Sequence, residues 1–140
     1  MPFSVVHPFI VHFAITFSVL LGLLELFPKV GEWLPAKISG IIRGMALFLL
    51  LLALVSGSLA FWIVKNHGGD LPRMGDFHMA AAITGASLFF LLGFMKRRSR
   101  PLPLRAIAGA ALLCVLSAAA MGGSLVYQNH VGTIFWKPPR

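Results

Sequence analysis

The sequence predicts an all-α integral membrane protein, a single four-helix up-down-up-down bundle over residues 1–140 with both termini on the outer, periplasmic side. Three observations carry that expectation. Of the 140 residues, 58% are hydrophobic and only 11% charged, with a mean hydropathy of +0.87, far from the balance of a soluble domain. Four apolar segments, about 8–27, 41–64, 78–95 and 105–127, meet the roughly 20-residue requirement of a spanning helix. Finally, the cations are unevenly placed. Lys29, Lys37, Arg43, Lys96, Arg97, Arg98, Arg100 and Arg105 flank the first and third turns, against Lys65, Arg73, Lys137 and Arg140 on the other side. That bias is the positive-inside pattern and puts the connections near 28–40 and 96–104 in the cytoplasm of a bacterial inner membrane.

The first helix is expected to start at Pro8, which suits a first helical position and pushes the residue before it out of the helical region. His7 then precedes the helix, and His12 lies on the order of 6 Å deeper; only if both were helical would His12 be turned about 140° from it. Met1 to His7 has no Lys or Arg and no small-residue cleavage site follows, so the segment reads as a retained helix rather than a signal peptide. Phe27-Pro28 ends it, and KVGEWLPAK forms a short cytoplasmic turn with Trp33 at headgroup level. The second helix runs from near Ile41 to Val64 and breaks at His67-Gly68-Gly69. Asp76 reads as the N-cap of the third helix, leaving His78 in its first turn. MKRRSRPLP is the next cytoplasmic stop, and the fourth helix, rich in alanine and glycine, ends around Tyr127. The tail VGTIFWKPPR lies along the outer interface.

All five histidines fall at one end of this topology. His7 and His12 open the first helix, His67 follows the second, His78 opens the third and His130 follows the fourth. Gly57, Gly85, Gly122 and Gly123 fall at similar depths of about 8–12 Å at helical rise. Such small residues serve either close helix packing or the space for a flat cofactor.

Ionisable groups at membrane depth are costly and tend to be functional, and a haem held by two imidazoles needs them on different helices with apolar walls around the ring. By depth, His12 and His78 are the expected pair of axial ligands. His7 and His130 lie shallower, placed either to form a second pair or to cap a site that opens outward, and His67 in its glycine-rich loop is expected to be a headgroup or capping residue. The cofactor expected is haem b, one or two copies. It is non-covalent because Cys114 is the sole cysteine and no CxxCH occurs.

The partners that follow are the lipid bilayer, other subunits of a membrane redox complex, and quinone or a periplasmic electron carrier. Nucleic acid is not expected, because the cations sit where headgroup anchors sit. Two other readings stay open. One is a cofactor-free structural or assembly subunit whose histidines cap helices. The other is a periplasm-facing copper or zinc protein, since both metals accept imidazole. A catalytic zinc or di-iron centre is disfavoured, as the outer half has no carboxylate within the membrane and no Glu-x-x-His. No Ser-His-Asp set or phosphate loop occurs either.

The opening His7-Pro8-Phe9-Ile10-Val11-His12-Phe13-Ala14-Ile15 resembles the HPxxVHFxI start of a bacterial membrane family, the domain of unknown function 2231. The closing Gly122-Gly123-Ser124-Leu125-Val126-Tyr127-Gln128-Asn129-His130-Val131-Gly132 is similar to its GGxLVYxHGVG, with His130 one place further along. The resemblance covers nearly the whole chain. It implies that the His7, His12 and His78 positions belong to a recurring pattern, which suits a cofactor site.

Overall fold

A computed structural model describes residues 3–66, 73–95 and 102–127. They form α1 (Phe3–Leu26), α2 (Pro28–Trp33), α3 (Ala36–Asn66), α4 (Arg73–Phe94) and α5 (Leu102–Tyr127), with no strand among them. α1, α3, α4 and α5 are each long and apolar enough to cross a membrane. The protein is thus a multi-pass, all-α membrane bundle. The segment with His67, the arginine-rich stretch 96–101 and the segment with His130 lie outside the described residues.

Each long helix starts earlier than its sequence signals suggest. α1 already begins at Phe3, so His7 is helical and Pro8 is the sixth helical residue. Proline there removes a single backbone hydrogen bond in the second turn, where few helical bonds depend on it. Before α3, the Pro35 carbonyl accepts the amides of Ile38 and Ser39 at 2.9 and 3.2 Å, and the Ser39 hydroxyl donates to Ala36 O at 3.0 Å. α4 starts at Arg73, which puts Asp76 inside the first turn rather than at the cap, where its charge still complements the helix dipole. The expected turn after α1 folds as α2, with Pro28 at its first turn and Leu34 extended behind it. Trp33 at its end is 86% exposed.

Helix neighbours follow from which ends meet. His7 of α1 reaches Ser56 of α3 while Glu25 reaches Arg43, so these two helices are antiparallel. Gly22 lies against Leu112 and Gly109 against Leu26, making α1 and α5 antiparallel. Gly85 meets Cys114 and Val115 while His78 meets Gly122, which does the same for α4 with α5; α3, reached from α4 where Gly93 meets Leu47, is then antiparallel to α4 as well. The bundle is therefore an up-down-up-down square with α1 diagonal to α4 and α3 diagonal to α5.

The core occupies only one half of this square. Phe89 is fully buried among Leu21, Ala46, Leu50, Ala86, Leu92, Ala108 and Ala111. Four of these are alanines, and small residues let membrane helices approach closely where no water is left to expel. A Cβ on Gly85 would lie 2.9 Å from Val115 Cγ2 and 3.1 Å from its backbone nitrogen, so that glycine serves the α4–α5 contact. The outer faces carry Phe9, Phe48, Val55, Phe77 and Leu113, all exposed, a surface suited to lipid and not to water.

Phe89→Ala would open a hole at the tightest point. Because the ring is exchanged for lipid rather than water, the loss is mainly of dispersion contacts, and we expect about 3 kcal/mol of destabilisation, near the low end for Phe→Ala in cores. Thermal unfolding in detergent measures it.

Candidate functional site: a histidine-lined hollow

The other half of the bundle is hollow. An inner chamber of about 60 Å³ is lined by Ala14 and Leu50 where it adjoins the core. A wider chamber of about 370 Å³, no more open than the first, lies toward the histidine end, between His12, Gly122, Gly123 and Tyr127. His7, Gly57, His78 and Met79 line both chambers. The walls are otherwise nearly all aliphatic, so imidazole supplies most of the polar chemistry available.

The helix register explains which histidines arrive there. Along α1, Ala14, Ser18, Leu21 and Glu25 are all buried, at spacings of four and three that mark one face of a packed helix. Continued toward the N-terminus, the same stripe passes through Val11 and His7. His12 falls off it and is exposed. Along α4 the buried stripe is Gly75, Gly85, Phe89 and Leu92, and His78 lies on it. The structure therefore brings His7 and His78 together from diagonal helices, while His12 borders only the wider chamber.

Each imidazole has one nitrogen engaged. His7 Nδ1 is 2.9 Å from Ser56 Oγ, His78 Nδ1 is 2.7 Å from Ala118 O, and His12 Nδ1 is 2.6 Å from Pro8 O. The rings of His7 and His78 are seated against glycine. A Cβ at Gly57 would lie 2.9 Å from His7 Cε1, and one at Gly122 would lie 2.8 Å from His78 Cε1. Of the four glycines expected at this depth, Gly57 and Gly122 make room for imidazoles. Gly123 borders open space, and Gly85 packs helices.

Ser56 and the Ala118 carbonyl escape a reading based on residue chemistry alone. Ser56 carries a detectable signal, a hydroxyl next to a glycine within the apolar run of α3. A backbone carbonyl carries none. At the far end of the bundle, the buried Glu25 pairs with Arg43 at 3.1 Å. Among the described residues, no three His, Cys, Asp or Glu side chains converge on a point. The residues of this chemistry that line both chambers are His7, His78 and Met79.

No family model, curated protein or solved structure matches the chain. The likeness of its two terminal motifs to the domain of unknown function 2231 rests on those residues alone.

Proposed function

We propose that the protein is a membrane b-type haem subunit that transfers electrons. It would work within a larger respiratory or photosynthetic assembly and exchange electrons with quinone or a periplasmic carrier. The observation that carries the reading is the meeting of His7 and His78, from diagonal helices, at the junction of two apolar chambers. Two imidazoles on different helices with aliphatic walls are what a non-covalent haem requires. The wider chamber falls within the roughly 300–1,000 Å³ of cofactor sites.

Bound there, haem would supply reversible one-electron transfer. The protein's own part is to hold two neutral imidazoles, to admit them against Gly57 and Gly122, and to keep water from the inner chamber with Ala14, Ile15, Leu50 and Val115. Among the described residues no carboxylate lines either chamber, which leaves imidazole and the Tyr127 phenol as the acid–base groups and suits electron transfer better than hydrolysis.

The test is optical. Protein expressed with adequate haem supply and purified in detergent should show a Soret band and an α-band that appears on reduction; a preparation with neither rejects the reading. One observation favours a second possibility: Met79 beside two imidazoles is also a donor set for cuprous copper. Stoichiometric copper without pigment would select it.

The orientation belongs to the same proposal. Eight of the twelve Lys and Arg residues fall, by the sequence topology, on the side away from the histidines, a bias that supports a hollow facing the periplasm of a bacterial inner membrane. A reporter fused after Arg140 should be active only in its periplasmic form, and one inserted at Ser99 only in its cytoplasmic form. The reverse result would put the hollow at the cytoplasmic face.

A further inference from the structure

We infer that His7 and His78 are the ligand pair of this hollow, each held as the tautomer that bares Nε2, and that Ser56 is the residue positioning His7. The inference rests on the haem reading and specifies which side chains perform it.

The tautomers follow from what each partner is able to do. A carbonyl oxygen only accepts, so at 2.7 Å from Ala118 O the Nδ1 of His78 must carry the proton and donate it. In a neutral ring Nε2 is then the lone-pair nitrogen. For His7 the partner is a hydroxyl, which could donate or accept. Ser56 has a single proton and directs it to Ala53 O, 3.2 Å away in its own helix. Its oxygen is left to accept, and the Nδ1–H of His7 donates to it at 2.9 Å. His7 too has a bare Nε2. A ligating histidine is typically fixed in this way, its second nitrogen donating to an oxygen that sets ring orientation and basicity.

His12 shares the tautomer, donating to Pro8 O at 2.6 Å, but its position excludes it from the pair. Its anchor lies in its own helix, it is exposed, and it borders only the wider chamber. His7 and His78 are instead each tied to a neighbouring helix, α3 and α5, and each lies on the buried stripe of its own helix. Two rings locked to two different hairpins form a preorganised pair. A ring tied to its own helix at the lip of the hollow does not.

The test uses the full chain in detergent. His7→Gly and His78→Gly should each abolish the low-spin bis-imidazole spectrum, and added imidazole should restore it. The restoration shows that the bundle still folds. His12→Ala should leave the spectrum unchanged. Ser56→Ala should weaken haem binding by about 10- to 100-fold, the usual cost of losing such a partner, and raise the reduction potential, because an imidazole without its acceptor is a weaker donor. Ser56→Thr, which keeps the hydroxyl, should restore both.

In haem-free protein, nitrogen NMR of the imidazoles should show His7 protonated at Nδ1, with that preference lost in Ser56→Ala. A wild-type protein without any Soret band rejects the haem reading, while the NMR result still decides the role of Ser56. A low-spin spectrum that survives His7→Gly, or one lost in His12→Ala, overturns the pairing even though the protein binds haem. An unchanged potential and an unchanged His7 tautomer in Ser56→Ala overturn the positioning role.

Discussion

Gly122→Val is expected to dismantle the histidine site while leaving the bundle assembled. A Cβ at this position would lie 2.8 Å from His78 Cε1 and 3.2 Å from its Nδ1, closer than atoms can settle without movement. α5 cannot recede to relieve the clash, because Gly85 already fixes α4 against the backbone of Val115. The ring must rotate instead, which breaks its 2.7 Å hydrogen bond to Ala118 O. We expect loss of any ligand held by His78 and about 1–3 kcal/mol of destabilisation, the usual cost of overpacking. Gly44→Ala is the control. Its Cβ meets nothing within 4 Å and the residue lines neither chamber, so it should retain ligand binding and gain about 0.5–1 kcal/mol from a helix-interior Gly→Ala change. Absorption titration and thermal unfolding of the two variants separate these outcomes.

Glu25→Ala is expected to cost about 3 kcal/mol, within the range for removing one partner of a buried ion pair. The carboxylate is 8% exposed at the end of α1 and meets Arg43, near the start of α3, at 3.1 Å. Removing it leaves a guanidinium at membrane depth without its carboxylate, although partial exposure of Arg43 lets it recover some hydration. The paired replacement Glu25→Leu with Arg43→Met removes both charges at similar volume and should recover most of the loss, since buried pairs exchanged for apolar residues are often neutral. A double variant as unstable as Glu25→Ala would show that the cost lies in shape and not in charge. The spectrum of any ligand bound in the hollow should be unaffected in both, because the pair lies at the opposite end of the bundle from His7 and His78.

Much of this site is legible in the residues alone, and the part that is not has a definite cause. The gathering of histidines at one end follows from counting spans and placing each residue at a start or an end. The roles of Gly57 and Gly122 as spacers follow in outline from helical rise. Depth alone, however, favours His12 over His7 as the partner of His78, and depth is only one of two helical coordinates. The other is azimuth. With Pro8 read as the first helical residue, His7 has no azimuth and cannot be compared. Once α1 begins at Phe3, the four-and-three spacing of His7, Val11, Ala14, Ser18, Leu21 and Glu25 becomes a single stripe. That pattern is in the sequence, but only burial shows which of several stripes on a uniformly apolar helix faces inward. In a membrane helix the lipid face is as hydrophobic as the core face, so the polarity contrast that reveals the inner face of a soluble helix is missing.

The sequence by itself determined the class, the number of spans and their alternation, because the cost of an unpaired backbone group in lipid allows little besides uninterrupted apolar helices. It also determined which end of the bundle carries the imidazoles. Only the tertiary structure decided that the bundle is solid around Phe89 and hollow beside His7 and His78, that α1 and α4 stand on a diagonal, and that Ser56 and Ala118 O anchor the two rings. Those are relations between residues 40 and 49 positions apart. They depend on which faces of four nearly featureless helices pack together. Packing among such helices is settled by side-chain volume and by a few polar contacts, which become visible only when the helices are in place.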